Sequence, residues 1–279
     1  MRSESFEVSG PVRASIKVEH GHVFVQHGAG VEQARVTLSP MVAGDEVAAE
    51  LIGRATVELG AGGLVVSVPP GPAGGGATTV VRSGGGLTVT QTLHNVSIGS
   101  NVVGVSIVNG RVVSAGDVHV GGAVPADGAV HGGVRVNVLL PADSSVTVRT
   151  VSAGLEVGSF GEWALDTVDF DTMSGALHVR EAQTVIARTI CGDVVVDAAI
   201  TARVTSTSGD VALEVGGRAE VSTVFGDVAV FTVRNGVAVS VATVSGDIRV
   251  STGSPEFGVA LSTSTVTGRV RGPRPVAGR

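Results

Sequence analysis

The chain has 279 residues, 43% hydrophobic, with a net charge of −6 and a mean hydropathy of +0.40. That composition excludes a disordered chain, and the lack of a basic stripe excludes a nucleic-acid binder. Aromatic residues are only 3%, Gly reaches 41 and Val dominates, so many short strands joined by tight turns are expected.

Residues 1–68 read as the N-terminal β strands, or cap, of a repeat fold. Val12, Ala14, Ile16 and Val18 make one strand and Val23 to Val25 another. The segments Val36–Leu38, Val47–Leu51, Val57–Leu59 and Leu64–Val68 continue the strand alternation. They form either irregular first coils or a sheet closing the end of a stack. His20, His22 and His27 lie close together in sequence. Three imidazoles suit a metal, but no Cys or carboxylate stands at ligand spacing, so a turn carrying exposed histidines is expected.

Residues 69–76, Pro-Pro-Gly-Pro-Ala-Gly-Gly-Gly, break the pattern. From 69 to 130 a Gly-rich, partly ordered insertion is expected. Within it, Val112-Val-Ser-Ala-Gly-Asp-Val-His-Val120 repeats the motif that follows, so a further coil is expected there. The Gly84–Gly86 run precedes no helix and is no phosphate loop.

From 131 to 279 the chain repeats. Aligned on Ala153, Gly175, Gly192, Gly209, Gly226, Gly246 and Gly268, seven segments follow one another at intervals of 22, 17, 17, 17, 20 and 22 residues. Two residues on stand Leu155, Leu177, Val194, Val211, Val228, Ile248 and Val270. Two further on stand Val157, Val179, Val196, Leu213, Val230 and Val250, until Gly272 breaks the column. Three residues before the anchor is a pure hydroxyl column: Thr150, Thr172, Thr189, Ser206, Thr223, Thr243 and Thr265. This is period-two alternation held in register across repeats. A 17- to 22-residue coil cannot bury its apolar face alone; stacking coils about 4.8 Å apart makes a continuous core. The expected fold is an all-β, single-stranded β-solenoid with an N-terminal β capping region, its interior too narrow for large rings. Gly175, Gly192, Gly209, Gly226, Gly246 and Gly268 are its structural turns.

The units Ser208-Gly209-Asp210-Val211 and Ser245-Gly246-Asp247-Ile248, with variants at 191–194 and 225–228, carry a resemblance. So do the run-in Val134-Arg-Val-Asn-Val-Leu-Leu-Pro141 and the opening stretch Phe6–Leu38. Together they resemble the toastrack domain, the bacterial "putative adhesin" β-solenoid family, over most of the chain except about 69–130. The resemblance implies the fold and an association with the cell envelope and its stress responses; it brings no catalytic residues.

Asp193, Asp210, Asp227 and Asp247 are expected on one edge of consecutive coils. Such carboxylates are candidate Ca²⁺ ligands. The favoured alternative is that each accepts backbone N–H groups in its own turn. The calcium-binding nonapeptide is absent, and Gly154, Ala176 and Arg269 interrupt the column. The hydroxyls are expected to bond to one another and to the corners. Cys191, the lone cysteine, occupies a column of small polar residues and reads as buried or half-buried; it excludes an internal disulfide.

No catalytic motif is present, and the charged residues are scattered where polysaccharide lyases and hydrolases cluster theirs. A non-enzymatic scaffold without cofactor is therefore expected, binding a protein partner or itself. The alternative is a carbohydrate-binding or carbohydrate-active protein on the same scaffold. The N-terminus shows no signal peptide and no segment is long enough to span a membrane, so a cytoplasmic protein is expected, peripheral to the membrane only through a partner.

Overall fold

The computed structural model describes residues 1–71, 77–82, 88–93, 106–108, 111–113, 118–121, 132–160 and 164–273. The chain divides into two compact units, Met1–Pro69 with Gly132–Arg279, and Pro70–His131.

In chain order the first unit starts with β1 (Arg2–Glu7), β2 (Arg13–Gly28), β3 (Gln33–Pro40), α1 (Glu46–Arg54), β4 (Thr56–Gly60) and β5 (Gly63–Ser67). The second unit carries β6 (Ala77–Arg82), β7 (Thr88–Leu93), β8 (Ser106–Val108), β9 (Arg111–Val113) and β10 (Val118–Gly121). There β6 pairs antiparallel with β7 and β10, and β8 with β9. The coil expected at Val112–Val120 falls partly outside the described residues. Its described ends belong to these antiparallel pairs rather than to a parallel coil.

The first unit resumes with β11 (Val134–Pro141), β12 (Ser145–Phe160), β13 (Leu165–Thr172), β14 (Leu177–Val179), β15 (Ala182–Cys191), β16 (Val194–Ser208) and β17 (Val211–Phe225). It ends with β18 (Val228–Thr232), β19 (Val237–Ser245), β20 (Ile248–Thr252), β21 (Val259–Thr267) and β22 (Val270–Arg271). All of its strands join one 17-stranded sheet, wound into a β-solenoid of about six turns.

Each coil has two arms facing one another across the core. The longer arm runs up to the hydroxyl residue; the chain turns at the glycine and the shorter arm follows. Successive coils pair parallel, residue over residue: Thr189 on Ser206, Ser206 on Thr223, Thr223 on Thr243, Thr243 on Thr265. The same register stacks Leu155, Leu177, Val194, Val211, Val228, Ile248 and Val270. Inward positions of the inner coils are closed to solvent, while the residues between them face out. Each fully buried Val or Leu contributes about 1.5–3 kcal/mol of transfer free energy, most of it offset by ordering the chain.

The glycines hold the corners. Gly192, Gly209, Gly226, Gly246 and Gly268 have φ between +132° and +153°, a region L side chains avoid. Gly175 does not share that conformation, but a Cβ there would stand 2.2 Å from the Ala153 carbonyl oxygen.

Three expectations fail in instructive ways. The two strands expected at Val12–Val18 and Val23–Val25 are one strand, β2, bent at Gly21 (φ 136°). It stacks parallel on β12 and is the first full coil. Val47–Leu51 is not a strand but lies in α1. Asp45 caps that helix by accepting the Ala48 N–H at 3.0 Å, Glu46 and Arg54 sit at the favourable ends of its dipole, and Ala48, Leu51 and Ile52 share its buried face. Finally, the interior does admit large rings: Phe170 is fully buried. It lies between Val148 and the small Ala187 in its column, which leaves room for the ring.

The N-terminal end of the stack closes with antiparallel strands. β11 pairs parallel with β2, then antiparallel with β3, which pairs antiparallel with β1. On the other arm β5 pairs parallel with β2 and antiparallel with β4. Arg2 bonds the Ala55 carbonyl at the end of α1, tying the outermost strand to the helix.

Candidate functional site

The corner that turns each coil also gathers the most regular polar groups. Asp193, Asp210, Asp227 and Asp247 line one shallow groove of about 390 Å³ with Val195, Ala212, Ala229 and Arg249. Their role differs from the expected one. Each carboxylate serves the next coil's turn rather than its own. Asp193 Oδ1 accepts the Asp210 N–H at 2.9 Å. Asp210 accepts from Asp227 and Asp227 from Asp247, each at 2.8 Å. Asp247 accepts the Arg269 N–H, also at 2.8 Å. A charged acceptor on a backbone donor makes a strong hydrogen bond, so the four side chains lace five coils together along the edge.

That use of the carboxylates competes with cation binding, because one oxygen of each is already committed. Among the described residues, no three His, Cys, Asp or Glu side chains converge to hold a metal. Asp210→Ala is expected to lower the unfolding free energy by about 1 kcal/mol, and Asp210→Asn, which keeps an acceptor, by less. The melting temperature of the unaltered protein is expected to stay the same in excess Ca²⁺ or in EDTA; a rise with Ca²⁺ would make the edge a metal site.

The hydroxyl column lies just inside the same corner. Thr150 Oγ1 accepts the Ala153 N–H at 2.7 Å and stands 3.3 Å from Thr172 Oγ1. Ser206 donates to the Ser208 carbonyl and Thr223 to the Phe225 carbonyl, both at 3.2 Å. Thr189 and Thr243 are buried with their hydroxyls unpartnered. The column is thus part stitching, part small filler.

The histidines and the cysteine correct their expectations. His20 and His22 sit half-buried within β2 rather than on an exposed turn, and His20 Nδ1 lies 2.7 Å from Ser152 Oγ. His27 is fully buried and neither ring nitrogen has a partner. Cys191 is exposed, not buried, because its column lies on the outside of the corner.

Burial pushes the His27 imidazole below its ordinary value of 6.5, partly opposed by the Asp143 carboxylate. The unfolded chain therefore takes up a proton below pH 6.5 that the folded chain refuses. Stability is unaffected above that pH and falls as the pH drops through the window down to the folded value. Urea unfolding between pH 7 and pH 5 is expected to show a steeper loss for the native chain than for His27→Leu, by up to about 1.4 kcal/mol per pH unit. Equal slopes would remove His27 from the acid response.

Elsewhere the charged side chains pair between neighbouring coils. Arg149 bonds Asp171 at 2.5 Å, Arg188 bonds Asp169 and Arg203 bonds Glu220, both at 2.9 Å, and His178 lies 3.0 Å from Asp197. One feature of the corner escaped the repeat alignment: Met173, Ile190, Val244 and Val266, each directly after the hydroxyl residue, are exposed. Their signal was an apolar residue recurring where strand alternation demands a polar one.

Parallel coils stacked in register define a β-solenoid. Residues 72–271 match the Toastrack DUF4097 family, and the chain belongs to it. The match runs through the segment set aside as atypical of the family and leaves out residues 1–71, where opening family strands were expected. Among solved structures, a "putative adhesin" from Bacteroides fragilis shares 11% identity over 97% of this chain and 96% of its own, with a TM-score of 0.51. "Putative adhesins" from Parabacteroides distasonis (12%, 97% and 96%, TM-score 0.42) and Parabacteroides merdae (8%, 98% and 96%, TM-score 0.41) also match. The first of these likenesses shows the fold. No curated protein matches this chain in sequence. No helix among the described residues is long and apolar enough to cross a membrane.

Proposed function

We propose that the protein is a non-enzymatic scaffold that binds a protein partner or itself, associated with the bacterial envelope from the cytoplasmic side. One observation supports this most: among the described residues, the Asp edge and several charged pairs are engaged between coils. The Asp edge holds backbone amides of the next coil, and Arg, Asp and Glu on the flat faces pair in twos across coils. Such pairing builds long, level surfaces rather than a convergent reactive cleft. The flat faces and residues 69–130 are the proposed contact surfaces. The names of the similar structures fit a binding role, and the exposed, unpaired Cys191 fits a reducing compartment.

The test is a quantitative pull-down from the native host with the whole chain and with a chain lacking residues 69–130, run beside turnover assays on a polysaccharide panel. A defined protein retained by the first bait and lost from the second supports the scaffold and assigns the contact to that segment. Turnover of any polysaccharide overturns the reading in favour of the carbohydrate-active alternative.

A further inference from the structure

One hydroxyl on the corner bonds to a base rather than to backbone. Ser152 of β12 lies directly over His20 of β2 in the sheet, and its Oγ stands 2.7 Å from His20 Nδ1. On the far side of the ring, Glu19 Oε2 lies 3.9 Å from Nε2. A carboxylate there favours the tautomer with its proton on Nε2, which leaves the Nδ1 lone pair to accept the Ser152 proton. Carboxylate, imidazole and hydroxyl in that order make an activated nucleophile: the base is in hydrogen-bond reach and a third group orients it. The two ring nitrogens exchange the roles they have in the serine-protease triad. By contrast, Thr150, Ser206 and Thr223 donate to carbonyls of their own corners. Further along the column of Ser152, the residues Cys191, Ser208 and Phe225 stack on one another with no imidazole between them. The site also reaches the surface. The His20 and Glu19 side chains are 21% and 33% exposed, and Ser152 is half-buried.

We propose that Ser152 is an acylation site: His20 activates it, Glu19 positions the imidazole, and it takes an acyl group with an apolar chain from an activated ester or thioester. Ser152 Oγ attacks the acyl carbon while its proton passes to His20 Nδ1, and the imidazolium so formed faces the Glu19 carboxylate. The bond from the acyl carbon to the leaving oxygen or sulfur then breaks, and His20 Nδ1 returns the proton to that atom. The products are an O-acyl serine and a free alcohol or thiol, with nothing oxidised or reduced. The neighbouring column selects an apolar chain. Val151, beside Ser152, is followed on the next two coils by Met173 and Ile190, which are 54% and 48% exposed. Two coil steps carry this ridge about 10 Å along the corner from the nucleophile, and an acyl chain laid on it covers apolar side chains that otherwise face water. One acyl group per chain is a modification and not a turnover, so the inference goes beyond the scaffold reading and leaves it standing.

The test incubates the full chain with p-nitrophenyl octanoate or p-nitrophenyl acetate and follows it by intact mass and peptide mapping. One acyl group on Ser152 is expected, added faster from the octanoyl ester than from the acetyl ester. Met173→Ser is expected to remove that preference. Ser152→Ala is expected to take no acyl group at the corner. His20→Gln is expected to slow acylation about a hundredfold or more with an unchanged far-ultraviolet dichroism spectrum. Glu19→Gln is expected to slow it by less, and Glu19→Asp to recover most of the native rate. Should His20→Gln unfold, the Glu19 variants decide, since that side chain is at the surface. A native chain that gains no acyl group on Ser152, or gains one only on Cys191 or Lys17, overturns the proposal. So does a folded His20→Gln chain, or failing that a Glu19→Gln chain, that reacts at the native rate. Equal rates from the two esters overturn the apolar acyl donor.

Discussion

Gly209→Ala is expected to destabilise the protein by roughly 3–5 kcal/mol, seen as a lower urea midpoint with little change in slope. Two penalties combine. The residue has φ +132°, where any side chain is strained. Its new Cβ would also stand 2.3 Å from the carbonyl oxygen of Gly192 in the coil below. Neither contact can relax locally, because the obstructing atom is backbone held by pairing on both sides. The same relation repeats up the corner: a Cβ on Gly226 meets the Gly209 oxygen at 2.1 Å, and one on Gly246 meets the Gly226 oxygen at 2.0 Å. Gly10→Ala is the control. A Cβ there meets nothing within 4 Å, and its effect is expected within about 0.5 kcal/mol of zero. Equal midpoints for the two variants would show that the corner does not require its glycines.

Phe170→Ala is expected to cost about 3–5 kcal/mol, the usual range for removing a buried ring. Phe170 is fully buried in a column that runs Val148, Phe170, Ala187, Val204. A solenoid interior is enclosed by paired backbone on both arms, so the coils cannot collapse into the void without breaking register. Phe225→Ala makes the comparison: that ring is 55% exposed, and its loss is expected to fall within about 0.5 kcal/mol of neutral. A loss at Phe170 no larger than at Phe225 would mean that the coils close around the gap.

The repeat was legible because its causes are local. Period-two alternation, a hydroxyl before each corner and a glycine in it are visible in any one segment and multiply across seven. The columns read from the letters are the columns of the sheet. What the letters hid depends on neighbours far along the chain. Val47 and Leu51 are four apart, which suits a strand's period of two as well as a helical turn, and only the capping Asp45 separates the readings. Phe170 stands outside the segments aligned on the glycines, so nothing in sequence marked it as inward. His27 looked like part of an exposed cluster because His20 and His22 are close to it, yet all three lie on one strand that carries His27 into the core. The four Asp line one edge, but each bonds the next coil rather than its own turn. An Asp beside a Gly usually bonds within its own turn; here the stacking distance brings the next coil's amide within reach instead.

The pairing of β2 with β12 sets the order in which this chain can fold. Arg13 lies over Ser145 and Gly28 over Phe160, so the strand made early is completed by one that emerges from the ribosome more than a hundred residues later. Closing so long a loop is slow and entropically costly. Coils from β15 onward need only a partner one turn away in sequence. Folding is therefore expected to start in the C-terminal half and advance backwards, with the first strands docking last. A growing chain has only β5 beside the apolar row of β2 until β11 and β12 emerge. In the cell, that interval is the one in which the protein most needs a chaperone.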